Sequence, residues 1–209
     1  MRTDHVFLNC PFDEDYLPVL RAIVFAVQAS GFEVRSALEE DNSAEERFCR
    51  ICDIIADCRL GIHDLSRVQQ DPTTGAPRFN MPLELGLFLG ARQFGCGDQK
   101  TKQCLVLDAE SFRYRNSCSD IAGRDIKVHG NKPQEAIKQI RNWLNTINNT
   151  ATLPGANYLT QEYERFLRDL PVLCESRQLA EDDLTYLDFL NMAKCWIAER
   201  KKNLGETAK

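Results

Sequence analysis

Apolar positions in this chain alternate between short runs and longer stretches of helical spacing. Val6-Phe7-Leu8-Asn9-Cys10 is a short apolar run stopped by Pro11, and it reads as a first, central strand. Asp13-Glu14-Asp15 then supplies acidic caps for a helix over about 16–30, with Pro18 tolerated in its first turn and Gly31 ending it. Phe32 to Leu38 alternates apolar and polar residues, as an edge-side strand does. Ser43-Ala44-Glu45-Glu46 is a capping box, and a helix to about Cys58 follows. Residues 59–66 form a third strand, and 67–79 a polar loop. Asn80 is expected to cap a helix to about Phe94, with Pro82 in the first turn. Cys104 to Asp108 is a fourth strand, 111–123 is irregular, and Ile126 to His129 is a short fifth strand. Asn131-Lys132-Pro133-Gln134 opens a helix to about Ile147.

Strands alternating with helices predict an α/β fold built on a parallel sheet with helices on both faces. Right-handed crossovers favour a doubly wound, five-stranded, flavodoxin-like order, 2-1-3-4-5. Residues 148–155 look like a linker, so the boundary is placed between an α/β domain, 1–149, and a C-terminal helical extension, 150–209. The extension carries helical patterns over about 157–175 and 181–203. Tyr163, Phe166, Leu167 and Leu170 share one face of the first, and Leu184, Leu187, Phe189, Leu190 and Trp196 are among the apolar positions of the second.

Composition narrows the function classes. The 209 residues are 43% hydrophobic, enough for a real core, and no apolar run reaches the length of a membrane span. The net charge of −5, with cations and anions intermixed, argues against direct nucleic-acid binding. Met1 to His5 lead straight into a strand, so no secretory signal is expected. Nine scattered cysteines, an odd count, fit buried reduced thiols in a cytoplasmic protein. Cys49-Arg50-Ile51-Cys52 lacks a second pair or a histidine at ligand spacing, so neither a metal nor another cofactor is expected. No Gly-rich phosphate loop, Walker motif, G-x-S-x-G or H-E-x-x-H occurs. Gly86-Leu87-Phe88-Leu89-Gly90 is expected to permit close packing of its helix on the sheet.

Doubly wound sheets bind ligands beyond the carboxyl ends of the strands, where the winding reverses. With order 2-1-3 that crevice collects Asn9, Phe12 and Asp13 after the first strand, Asp64 and Ser66 after the third, and Arg78, Asn80, Met81 and Glu84 around the next helix. Glu84 stands out because Met81, Pro82, Leu83, Leu85, Leu87 and Phe88 surround it with apolar groups. A first-turn acid is stabilised by the helix dipole, while an apolar wall raises its pKa. It could serve only the helix terminus, or act as nucleophile or cation stabiliser. Each of the others has a plain structural alternative. Asp64 could cap its loop, Asn9 could be a turn residue, and Arg78 could be a solvated cation or a phosphate clamp. His63 should point away from Asp64 and be a packed, hydrogen-bonded histidine. Glu39-Glu40-Asp41 reads as a solvated loop or a ribose-binding acid cluster.

Val6-Phe7-Leu8-Asn9-Cys10-Pro11-Phe12-Asp13 resembles the opening of bacterial Toll/interleukin-1 receptor (TIR)-like domains and of nucleoside 2-deoxyribosyltransferases. Asp64 ending a strand, followed by Met81-Pro82-Leu83-Glu84-Leu85-Gly86, is similar to the deoxyribosyltransferase pattern in which an E-L-G helix carries the catalytic glutamate. In TIR NAD hydrolases a glutamate occupies the equivalent helix. The resemblance covers about 5–148 and departs from deoxyribosyltransferases in having N-C-P-F-D where a glycine-proline loop is usual, and from TIR domains in its long 67–79 loop. It implies Glu84 as catalytic carboxylate, with Asn9, Phe12, Asp13, Asp64, Ser66, Arg78, Asn80 and Met81 lining the substrate pocket. NAD would be substrate, not cofactor. It further implies a bacterial anti-phage defence effector whose C-terminal helices dock a partner or drive self-assembly. A deoxyribosyltransferase or nucleoside hydrolase, with Asp64 or Asp13 as proton donor, and a non-catalytic nucleotide-sensing module are the alternatives.

Overall fold

The computed structural model describes residues 1–39, 44–68, 78–116, 118–148 and 152–207. Ser43 of the expected capping box, Glu40 and Asp41, most of the 67–79 loop and the 149/150 domain boundary lie outside the described residues. The strands are β1 (Arg2–Asn9), β2 (Glu33–Arg35), β3 (Cys58–Asp64), β4 (Gln103–Asp108) and β5 (Lys127–Val128). They form one parallel sheet in the order β2-β1-β3-β4-β5. Val6 lies between Val34 and Leu60, and Ile62 pairs with Leu105. The expected α/β, doubly wound architecture is therefore present, with a C-terminal helical part.

The helices are α1 (Leu17–Ala29), α2 (Arg47–Asp57), α3 (Asn80–Phe94), α4 (Pro133–Ile147), α5 (Ala156–Glu175) and α6 (Tyr186–Thr207). Strand alternation assigns them to faces. Val6, Leu8, Leu60, Ile62, Leu105 and Leu107 join a core with α1 and α4, while Phe7 packs on the other side with Ile51, Ile54 and Ile55 of α2 and Phe88 of α3. Among the described helices α1 is the most apolar, and residues 22–28 are buried without interruption. A helix of that kind needs cover on every side. The sheet covers one side, and α5 and α6 cover the other. Phe25 of α1 meets Tyr163, Phe166 and Trp196 at ring-centroid separations of 5.3, 5.5 and 6.0 Å. Each such pair contributes about 0.5–1.5 kcal/mol beyond its buried area. The extension thus completes a core that the α/β part leaves open. Lys194 of α6 also pairs with Glu33 of β2.

Several local expectations need correction. Phe79, not Asn80, holds the N-cap position of α3 and makes no capping bond, while Asn80 is the first helical residue and is exposed. The last helix starts at Tyr186, because residues 181–183 form a separate 3-10 turn. A Cβ at Gly86 would meet nothing within 4 Å, so the Gly86–Gly90 spacing does not serve packing. Close approach falls instead on Gly61 of β3, where a Cβ would lie 2.9 Å from Phe88 Cε2 and 2.8 Å from His63 Nε2. The nine cysteines are free, but only Cys10, Cys58 and Cys174 are buried, and Cys49, Cys96 and Cys195 are exposed. Glu39 is not a solvated loop acid: it accepts from Arg35 at 2.7 Å and from the Ser36 N–H at 2.5 Å.

Candidate active site

Asn9 ends β1 and is 2% exposed. Its Nδ2 donates to the Met81 carbonyl at 2.8 Å and to His63 Nδ1 at 3.1 Å. Two donors on one amide therefore hold the first turn of α3 against the end of β1, and the Met81 side chain is buried beside Leu65 and Leu85. His63, on the α3 face of β3, packs edge-on against Phe7 and Phe88. Burial, then the positive charge of Lys102, lowers its pKa to about 3. The imidazole is neutral and structural, as its place in the strand suggested.

Asp64 points to the opposite face of the sheet and is fully buried. Its Oδ2 accepts from the Tyr16 hydroxyl at 2.7 Å and from His129 Nε2 at 2.9 Å, and its Oδ1 accepts from the Ser66 N–H at 2.8 Å. His129 Nδ1 accepts from the Asn131 N–H, which leaves the ring proton on Nε2, facing Asp64 and the Ser66 hydroxyl. Burial alone would push the Asp64 carboxyl up. The hydrogen bonds from His129, Ser66 and Tyr16 outweigh it and hold the pKa below its usual range. Asp64 and Ser66 thus form a sealed, satisfied cluster tying β3 to α1 and to the turn after β5. Tyr16 and His129 were not singled out from the sequence, since a lone tyrosine or histidine has no spacing signature.

Asp13 is partly exposed. It caps the 3-10 turn at Glu14–Tyr16 through the Tyr16 N–H and forms ion pairs with Arg67 at 3.2 Å and Arg78 at 3.4 Å. Arg78 therefore has a carboxylate partner. Phe12 is 42% exposed and stands at the edge of a cleft.

Glu84 sits on the second turn of α3 and is half-buried. Among the described residues no hydrogen bond or ion pair engages its carboxylate. Desolvation raises its pKa to about 7, against the opposing charge of Arg47. The Cys10 thiol, buried at the end of β1, feels the charges of both Asp64 and Glu84, and burial before either pushes its pKa far up. Cys10 is therefore a protonated neighbour and no nucleophile.

Beyond the carboxyl ends of β1 and β2 lies a cleft of about 510 Å³, lined by Phe12, Ala37 and Leu38, by Arg47, by Arg21 of α1 and by Tyr186 of α6, among others. Its volume suits a small-molecule ligand. Glu84 is not part of the lining. Arg47 connects the two: it lines the cleft, and its charge is felt at Glu84. Arg47, Arg21 and Tyr186 were missed by the sequence reading, because the cleft draws on α1, α2 and α6 at once. Among the described residues no group of His, Cys, Asp and Glu could hold a metal ion, and no helix is long and apolar enough to cross a membrane. No protein-family model, curated protein or solved structure matches the chain.

Proposed function

We propose that this protein is an N-glycosidase that cleaves NAD or a related nucleotide, with Glu84 as its catalytic carboxylate. One observation carries the reading: Glu84 is a half-buried carboxyl with no hydrogen bond or ion pair among the described residues and a pKa raised to about 7, and it feels the charge of Arg47, which lines a ligand-sized cleft. Cleaving an N-glycosidic bond builds positive charge on C1′ and the ring oxygen. A carboxylate that forms no ion pair among the described residues is left to stabilise that species, or attacks C1′ directly. Poised near neutrality, it ionises at little cost when a cationic substrate arrives.

The leaving group separates NAD from free nucleosides. Nicotinamide departs as a neutral base and needs no proton. A purine or pyrimidine does need one, and neither acid nominated to supply it is suited. Asp64 is buried and held in its ionised form, and Asp13 is paired with Arg67 and Arg78. Asp64 and Ser66 then support the strand end, Asn9 holds α3, and Phe12 with Arg47 meets the ligand. A role in anti-phage defence, and assembly through the outer faces of α5 and α6, belong to the same proposal and rest on the resemblance to TIR-like domains.

Incubation with NAD and a panel of nucleosides, with products read by mass spectrometry, tests the reading. Nicotinamide and ADP-ribose are expected from NAD, with no base released from the nucleosides. Base exchange between two deoxynucleosides would install the deoxyribosyltransferase alternative, and NAD recovered intact would favour a sensing module.

A further inference from the structure

The cleft lined by Arg47 holds donors without matching acceptors. Arg21 projects from α1, and its guanidinium lies over the Phe189 ring of α6, 5.1 Å from the centroid. Its Nε is buried without a hydrogen-bond partner, and among the described residues no carboxylate pairs with it. Arg47 opens α2, so its charge adds to the positive end of that helix, and among the described residues it has no ion pair either. Tyr186 begins α6. Its hydroxyl is buried close to Ser36 without a well-formed hydrogen bond, and the charges of Glu39 and Glu33 are felt there. All three groups line one cavity, and among the described residues no acid lines it with them. A buried donor left without an acceptor costs about 1–3 kcal/mol. Two such donors, Arg21 Nε and the Tyr186 hydroxyl, together with the exposed guanidinium of Arg47, describe the complement of an anion.

The aromatic content adds a second constraint. Phe12, Tyr186 and Phe189 are all in the lining, and Phe12 stands exposed at the rim. Cations set among aromatic rings suit a ligand with phosphate groups and a planar base.

We propose that α6 closes a nucleotide-phosphate subsite, in which Arg21 and Arg47 hold the phosphates and the Tyr186 hydroxyl supplies a further donor. The subsite deepens the N-glycosidase reading and rests on it for the identity of the nucleotide. It makes the C-terminal helices part of ligand recognition, since Tyr186 and Phe189 come from outside the α/β part. Free nucleosides, which lack phosphate, are poor ligands. Occupancy joins α1, α2 and α6, so a bound nucleotide fastens the extension to the sheet.

ADP-ribose is a suitable probe because it carries the diphosphate but no nicotinamide bond to cleave. Titration calorimetry on the full chain should show ADP-ribose binding at least about tenfold tighter than adenosine, with an affinity that falls as salt rises. Arg21→Met should weaken ADP-ribose by about tenfold or more and leave adenosine little changed. Tyr186→Phe, which keeps the ring and removes only the hydroxyl, should weaken ADP-ribose by about threefold to tenfold. Should Arg21→Met not fold, Tyr186→Phe carries the test alone. Equal affinity for ADP-ribose and adenosine, no binding of ADP-ribose, or full affinity in a folded variant overturns the proposal. Tight ADP-ribose binding by a protein that leaves NAD uncleaved would keep the subsite and remove the N-glycosidase reading.

Discussion

Asp64 and Glu84 are two acids, one ending β3 and one on the helix after it, that the sequence assigns to the same crevice. They end in opposite conditions. Asp64 is fully buried and held by Tyr16, His129 and the Ser66 N–H, and its pKa is depressed. Glu84 is half-buried, with no hydrogen bond or ion pair among the described residues, and its pKa is raised to about 7. Burial alone would raise both. What separates them is the supply of donors, which turns one acid into a fastening and leaves the other with a raised pKa.

The difference is open to attack, beginning with the largest effect. Asp64→Ala strands a tyrosine hydroxyl, an imidazole N–H and a backbone N–H in a sealed space. It should cost about 3–5 kcal/mol in denaturant unfolding. The wild-type contribution has a defined sign with pH. The folded pKa of Asp64 lies below the unfolded one, so its stabilisation is present above the unfolded value and is lost as pH falls through the folded value. A loss under about 1 kcal/mol would place Asp64 among dispensable surface acids.

Gly61→Ala comes next. Its Cβ would press on the Phe88 ring at 2.9 Å and on His63, shifting α3 and Glu84 with it. A cost of about 1–3 kcal/mol is expected, with a fall in activity beyond what the stability loss explains.

Glu84→Gln should move stability the other way. With its folded pKa raised, the stabilisation linked to Glu84 is fully present below its unfolded pKa and is lost as pH rises through about 7. Removing the charge should therefore stabilise the protein at alkaline pH. Each pKa unit is worth about 1.4 kcal/mol and solvent screens a half-buried group, so a gain of about 1–2 kcal/mol is expected, read as a higher melting temperature. The smallest effect belongs to Gly86→Ala on the outer side of α3. With nothing within 4 Å of the new methyl, it should gain about 0.5–1 kcal/mol and leave activity unchanged.

The sheet order was legible because periodicity and the handedness of crossovers leave few topologies for alternating strands and helices. The desolvated setting of Glu84 was legible as well: an acid in the run from Met81 to Phe88 is anomalous in one dimension. Asp64 was nominated, but its occupancy was not foreseeable, since Tyr16 and His129 lie 48 and 65 residues away in sequence. The cleft was least legible. Residues as far apart as Phe12 and Phe189 meet there, and no motif marks the wrapping of α1 by the extension. That α1 is the most apolar of the described helices was the available clue. The Gly86–Gly90 spacing misled because a stripe of small residues marks a close approach only when it faces a neighbour, and Gly86 faces outward.

The rate of nicotinamide release from NAD, followed across about pH 5 to 9 in wild type and in Glu84→Gln, tests the central claim most directly. The wild-type kcat/KM should rise to a plateau with an apparent pKa near 7, and Glu84→Gln should lose about a hundredfold to a thousandfold at the plateau. A profile without that inflection, or a Glu84→Gln protein as active as wild type, would contradict a role for Glu84 in the chemistry.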